Sequence, residues 1–223
     1  VTQTRRRFDI VCFDCDSTLS RIEGIDELAL RFGLEQDVAP LTAAAMAGTI
    51  PLDAVYAERL SMIRPDRASL DWLAQRYVEE MVPGAFETIA ALTHAGTSVH
   101  IVSGGLRPAL HPLACALAVP ASNVHAVDVF FEDDGAYRDF DRGSPLSRPD
   151  GKAVVCRSLA ERRASIALVG DGATDLAAQA CGVFVVGFGG VSRRDALVKG
   201  ADIFIDGPDL IAVLGPLLDE GEC

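Results

Sequence analysis

From Val82-Pro83-Gly84 onward, stretches of helical period alternate with short apolar runs, and this alternation is the strongest constraint on what the chain can become. Helical signals over Ala85–Ala95, Arg107–Leu117, Gly151–Arg163, from Ala173, and over Pro208–Leu218 are separated by candidate strands at Thr97–Val102, Asn123–Phe131, Ser165–Val169, Val183–Val186 and Ile203–Ile205. Strands that alternate with helices predict a doubly wound, mostly parallel sheet, a Rossmann-like α/β core with helices on both faces. An earlier run, Phe8–Phe13, supplies one more strand. Between them the pattern is helical from Glu23 to Met81. Ile25, Leu28, Ala29 and Phe32 mark an apolar face that stops at Gly33, a second helix runs near Val38–Ala47, Leu52–Ile63 forms a third, and Pro65-Asp66 followed by Ser69 opens a fourth. The expected organisation is a core of residues 1–20 and 83–223 with a small helical-bundle cap inserted at 21–82. A chain of 223 residues, 49% of them hydrophobic, is long enough to bury such a core.

Three of the strands end abruptly in polar residues: Phe8–Phe13 in Asp14, His100–Val102 in Ser103, and Ile166–Val169 in Asp171. In open α/β sheets ligands bind outside the carboxyl ends of the strands, so these groups are expected to meet in one crevice. At the first of them Asp14 and Asp16 stand two apart, a spacing that lets both leave the strand on one side of the turn. Acidic residues also crowd turns and caps for structural reasons alone. A calcium loop would need Gly and Glu where this chain has Leu19 and Ile25, which excludes it. The third reading is a pair with divided labour around a hard cation, one Asp a nucleophile and the other a general acid/base. It requires another acidic ligand, a hydroxyl and a lysine, and Asp171, Ser103 and Lys152 are the candidates, with Gly104 and Gly172 letting backbone N–H groups approach an anion. An oxygen-only set suits Mg²⁺, and phosphoryl transfer needs mainly positioning and charge neutralisation.

Charge and cysteine usage exclude other classes. A formal net charge of −12 argues against nucleic acid, which needs a basic stripe. No apolar run has the length of a membrane span, and Val1–Arg7 lacks the apolar centre of a secretion signal, so a cytoplasmic protein is expected. Arg5-Arg6-Arg7 reads as a solvated flank of the first strand. The six cysteines are scattered, and Cys12 and Cys15, three apart at a strand end, are expected to be buried, inert thiols rather than a redox pair. Neither a P-loop nor a G-x-G-x-x-G is present.

One residue of the insert is out of character. Arg59 falls within the apolar stripe of Val55, Tyr56, Leu60 and Ile63. It is either a salt-bridged or snorkelling arginine or, if the insert covers a site, a bidentate clamp for a substrate carboxylate. Glu23, near a helix start, is either a match to the helix dipole or a partner for a substrate ammonium.

The ordered set Asp14-x-Asp16-x-Thr18, Ser103-Gly104-Gly105, Lys152 and Gly170-Asp171-Gly172-Ala173-Thr174-Asp175 resembles the signatures of the haloacid dehalogenase superfamily. Glu23-Gly24-Ile25-Asp26-Glu27-Leu28-Ala29, Ala45-Met46, Glu58-Arg59-Leu60 and Gly187-Phe188-Gly189-Gly190 extend the likeness, over nearly the whole chain, to its phosphoserine phosphatase family. The resemblance implies a Mg²⁺-dependent hydrolase of a small phosphomonoester, phosphoserine, with a helical cap and a homodimer as a compatible assembly. It implies that Asp14 becomes an aspartyl-phosphate and binds the metal, that Asp16 is the general acid/base with its backbone carbonyl on the metal, and that Asp171 completes the ligands, with Asp175 behind. Ser103, Gly104 and Lys152 would hold the phosphate, Glu23 and Arg59 the amino and carboxylate groups, and Met46, Ala47, Gly105 and Thr174 would also contact substrate. The chain departs from the family at Leu52, where relatives carry an aromatic, and at Ala126-Val127-Asp128-Val129, so a related phosphatase or phosphotransferase for another small ester is the alternative. A receiver module phosphorylated on Asp is a third reading, which the helical insert disfavours.

Overall fold

The computed structural model describes residues 4–46, 50, 52–160 and 164–220. In chain order these form strands β1 (Thr4–Arg6) and β2 (Ile10–Phe13), then helices α1 (Gly24–Phe32), α2 (Glu35–Met46), α3 (Leu52–Ile63), α4 (Arg67–Glu79) and α5 (Ala85–His94). Strand β3 (Ser98–Leu106), α6 (Arg107–Ala116), β4 (Val124–Val127), the pair β5 (Val129–Phe131) and β6 (Tyr137–Phe140), α7 (Gly151–Leu159), β7 (Ile166–Gly170) and α8 (Ala173–Leu176) follow. The last elements are β8 (Phe184–Phe188), α9 (Asp195–Gly200), β9 (Ile203–Ile205), α10 (Leu214–Leu217) and β10 (Leu218–Glu220).

The expected parallel sheet is present. Six strands lie in the order β4-β3-β2-β7-β8-β9, every neighbouring pair parallel. Its central strands read as unbroken apolar runs because helices cover both faces, and every residue of β7 is buried. From β2 the chain moves outward on one side through β3 and β4, then crosses back to β7, so the switch point lies at β2. The register aligns Phe13 with Ile101 on one side and Val169 on the other. Asp14, Val102-Ser103 and Gly170-Asp171 therefore emerge together from the carboxyl edge.

Helices α1–α5 occupy the chain between β2 and β3, α1–α4 falling within residues 21–82. Gly33 ends α1 in the left-handed region at φ 70°, a conformation glycine adopts without strain. Asp66 caps α4 by accepting from the Ser69 N–H at 2.8 Å. Phe32, expected on the buried face of α1, is exposed, because it is the last residue of that helix before the chain turns. Among the described residues no helix is long and apolar enough to cross a membrane.

Four local expectations are corrected. The run Asn123–Phe131 is not one strand: it breaks at Asp128, whose Oδ1 accepts from Arg107 Nε at 2.7 Å while the other guanidinium nitrogens bond the Val124 and Ala126 carbonyls. Val124–Val127 therefore stays on the sheet edge and Val129–Phe131 turns into the hairpin. The arginine flank is not merely solvated. Thr4–Arg6 pairs antiparallel with Leu218–Glu220, which sets Arg5 opposite Asp219 and joins the two segments by a backbone ladder. The last expected helix is a 3₁₀ turn at Leu210–Val213 and a single α turn, since Gly215-Pro216 ends it early. Helix α9 was not expected at all. The expected end of α7 at Arg163 lies outside the described residues.

Two histidines meet on adjacent strands of the sheet. His100 Nδ1 lies 3.1 Å from His125 Nε2, and Ser98 Oγ lies 3.0 Å from the other His100 nitrogen. One proton serves the bond between the rings, so charging both would set N–H against N–H. Burial, then the neighbouring His125, pushes His100 down to about 4, and burial with Arg107 lowers His125. Unfolded histidines titrate near ~6.5, so between that pH and about 4 the unfolded chain binds more protons and stability falls as pH falls. His100→Gln is expected to recover roughly 1–2 kcal/mol of the stability that the parent loses between pH 7 and pH 5, read by denaturant unfolding at both pH values. Parallel pH slopes for parent and variant would contradict this origin.

Candidate active site

The carboxyl edge of the sheet opens into a cavity of about 1050 Å³ whose lining includes Asp14, Asp16, Ser103, Lys152 and Asp171 together with Glu23 and Arg59 of the helical insert. Gly104, Gly105 and Thr174 line it too. Of the remaining expected contacts, Ala47 and the side chains of Met46 and Leu52 lie outside the described residues.

Asp14 leaves β2 with its backbone N–H on the Val169 carbonyl at 2.9 Å, which ties it to the neighbouring strand. Its Oδ1 accepts from the Cys15 N–H at 2.7 Å, and its Oδ2 lies 2.6 Å from Lys152 Nζ. The buried ammonium also donates to Asp175 Oδ1 at 2.6 Å. Burial alone would lower the Lys152 pKa; the charges of Asp14 and Asp175 outweigh it, and the net direction is upward. Asp175 is fully buried and fixes the turn by accepting from Gly172 N–H at 2.9 Å. Gly170 is obligatory beneath it, since a Cβ there would lie 2.2 Å from the Asp175 carboxyl carbon.

Asp16 is held by the insert rather than by the sheet. Its Oδ1 accepts from Tyr77 Oη of α4 at 2.6 Å and from the Gly24 N–H at the start of α1 at 3.2 Å. A side chain at Gly24 would meet the Tyr77 hydroxyl at 2.0 Å, so glycine is needed for the phenol to reach. Burial, with the charge of Asp14 added, raises Asp16 to about 7, against the lowering effect of those two donors. A carboxyl so placed carries a proton near neutrality and can give it up.

Around this pair lies a ring of charge. Ser17, at φ 52°, turns the chain so that its hydroxyl donates to Glu23 Oε1 at 2.8 Å. Arg194 bridges Glu23 and Asp171, with Nε 2.8 Å from Asp171 Oδ2 and a terminal nitrogen 3.3 Å from Glu23 Oε1. Burial and then Asp16 raise Glu23 to about 7; burial and then Asp14 raise Asp171 to about 6. Arg59 is buried, donates to Thr42 Oγ1 at 3.2 Å, and Thr42 in turn donates to Asp26 at 3.1 Å. Its Nε has no hydrogen-bond partner among the described residues. Ser103 is buried and accepts from the Gly105 N–H at 3.0 Å.

Asp14, Asp171 and Asp175 each offer a carboxylate oxygen within 4.8 Å of the others, a buried acidic triad with the spacing of a metal site. The donors are oxygen only, and three buried carboxylates gathered this closely carry negative charge that a cation relieves, so the residues fit a hard divalent ion. Cys12 and Cys15 are free and fully buried, and burial pushes the Cys15 thiol up.

Three participants have no signal in local spacing. Tyr77 lies 61 residues from the carboxylate it holds, and Arg194 lies 171 from Glu23. Tyr56, on the stripe that drew attention to Arg59, donates from its hydroxyl to the Gly104 carbonyl at 2.8 Å. Arg194 had one available clue: it is a cation in an acidic chain, just beyond the glycine-rich turn that follows β8.

Residues 11–179 match the family of haloacid dehalogenase-like hydrolases. Human phosphoserine phosphatase is 37% identical over 211 residues, 94% of this chain and 93% of that protein. A substrate-bound phosphoserine phosphatase complex superposes with a TM-score of 0.80 at 25% identity, covering 96% of this chain and all of the other. A phosphoserine phosphatase carrying a phospho-aspartyl intermediate analogue gives 0.77 at 26% identity, over 95% of this chain. Identity at that level along nearly the full length of both chains, joined to a family match that runs from β2 to just beyond α8, reflects descent, and the chain belongs to the haloacid dehalogenase-like hydrolase family.

Proposed function

We propose that this chain is a phosphoserine phosphatase, hydrolysing O-phosphoserine to serine and phosphate through an aspartyl-phosphate on Asp14. The observation that carries the reading is the unequal state of two neighbouring carboxyls: Asp14 is paired with a buried ammonium at 2.6 Å, while Asp16 is raised to about 7. A carboxyl raised toward neutrality suits the acid, and its neighbour held against an ammonium suits the nucleophile. An Asp14 carboxylate oxygen attacks phosphorus as the bond to the serine oxygen breaks, and the proton on Asp16 passes to that oxygen. Water then attacks the phosphorus of the acyl phosphate and yields its proton to Asp16; the bond to Asp14 breaks and phosphate leaves. Lys152 holds the charge of the transferred group, and Ser103 donates to a phosphoryl oxygen.

Asp14, Asp171 and the Asp16 backbone carbonyl, with Asp175 behind them, would hold Mg²⁺, which when bound neutralises charge on the phosphoryl oxygens. Residues 21–82 act as a cap that reads the substrate's head group over a core of 1–20 and 83–223. Supporting this division, Glu23 and Arg59 come from the insert and the phosphate-handling residues from the sheet edge. The buried Arg59 Nε, which has no partner among the described residues, supports a carboxylate as its ligand, since a donor so placed is costly to leave unmet. The substrate ammonium would take Glu23.

Phosphate release from a panel of small monoesters, with and without Mg²⁺, tests the reading. A Mg²⁺-dependent preference for phosphoserine is expected; preference for an ester without the amino-acid head group would keep the chemistry and change the substrate. Absence of repeated turnover on every ester would favour a phosphorylated signalling module instead. Arg59→Ala is expected to lower kcat/KM for phosphoserine about 100-fold while changing hydrolysis of 4-nitrophenyl phosphate less than about 3-fold, because it removes a head-group contact and not the chemistry. Equal losses on both esters would remove Arg59 from that role.

A further inference from the structure

Tyr56 takes no part in the chemistry above, yet it connects the helical insert to the turn that is to grip phosphate. It sits three residues before Arg59 on α3, so the two side chains share a helix face, and both line the cavity. Its ring is buried against Phe140 of β6, with centroids 5.2 Å apart, which fixes the direction of the phenol. Its hydroxyl donates to the Gly104 carbonyl at 2.8 Å.

That carbonyl and the Gly105 N–H are the two ends of a single peptide unit, which is planar and moves as one plate. The Gly105 N–H donates to Ser103 Oγ at 3.0 Å. One rigid plate is therefore held at its oxygen by the insert and at its nitrogen by Ser103. With a lone pair of Oγ engaged by that N–H, the Ser103 hydroxyl is left to donate into the cavity. Around the plate the β3–β4 pairing shifts register between Val102 and Leu106, and glycine at both of its ends gives the peptide freedom to flip.

We propose that Tyr56 is a positioning residue that locks the Gly104–Gly105 peptide, and through it aims the Ser103 hydroxyl at the phosphoryl group while the insert covers the sheet edge. Binding of phosphate and seating of the insert are thereby coupled through one hydrogen bond. The inference rests on the phosphomonoester reading for its kinetic consequence, but the lock itself does not.

Tyr56→Phe removes the hydroxyl and keeps the ring against Phe140. Three results are expected of the full chain. Competitive inhibition by inorganic phosphate weakens about 10-fold; kcat/KM falls by the same factor on phosphoserine and on 4-nitrophenyl phosphate; and the ligand-free Gly105 amide exchanges hydrogen at least about 10-fold faster. A residue that served only packing would leave the phosphate inhibition constant and the Gly105 exchange where they were. Unchanged exchange at Gly105 would overturn the lock, and a loss confined to phosphoserine would make Tyr56 a reader of the head group instead. Were the parent protein inactive on every monoester, the functional reading would fail while the exchange measurement still decided the lock.

Discussion

Asp14→Asn abolishes phosphate release, with kcat expected to fall by at least about 10⁴-fold, because an amide oxygen cannot take the phosphoryl group as a carboxylate does. The fold survives. Asparagine has nearly the same volume, its amide oxygen still accepts from the Cys15 N–H, and Lys152 retains Asp175 at 2.6 Å. One negative charge also leaves a crowded cluster, so Asp16 and Asp171, both raised in part by Asp14, relax toward ordinary carboxyl values. Activity assays, thermal unfolding and a search for acid-stable or acyl-bound phosphate on the protein make the check. Turnover at the parental rate would end the assignment of Asp14 as nucleophile.

Lys152→Met carries the second large effect, on stability as well as on rate. The methionine fills most of the same volume, so what disappears is the ammonium between two buried carboxylates. Removing one member of a buried charge cluster costs about 3 kcal/mol, as the remaining charges are left without compensation. In a domain of this size that lowers Tm by roughly 10 °C. Rate falls by about 10³-fold, since both the incoming phosphoryl group and the acyl phosphate lose their positive partner.

The stability deficit has a pH dependence of defined sign. Asp175 is already raised by burial, and without Lys152 it rises further. A carboxyl whose folded pKa lies above its unfolded value makes the folded state the better proton acceptor between the two, so it weakens the fold as pH rises through that window. The gap in Tm between parent and variant is therefore narrower at pH 5 than at pH 8. A variant as stable as the parent at both pH values would show that the ammonium does not hold this cluster together.

The strand ends were the most legible part of the chain. Phe13-Asp14, Val102-Ser103 and Gly170-Asp171 announce themselves as apolar runs that stop in polar groups, and a parallel sheet with a known place for ligands converts that into convergence. Arg59 was legible as an anomaly, a cation on an apolar stripe, though not its bonds to Thr42 and beyond. The strand signal over Asn123–Phe131 was visible but its break was not, because the break at Asp128 is made by Arg107, 21 residues earlier. The pairing of β1 with β10 had no signal either, since two three-residue polar segments carry no periodicity.

By itself, then, the order of residues determined the parallel α/β core, the run of helices after β2 and the polar groups at the strand ends, because period, caps and strand ends are properties of neighbours along the chain. Only the tertiary structure decided what surrounds each carboxyl and what holds each group in place. Tyr77 on Asp16, Lys152 between Asp14 and Asp175, Arg194 across Asp171 and Glu23, and Tyr56 on the Gly104 carbonyl all join residues far apart in sequence. Desolvation and Coulomb forces depend on distance through space, and that distance exists only once the chain has folded.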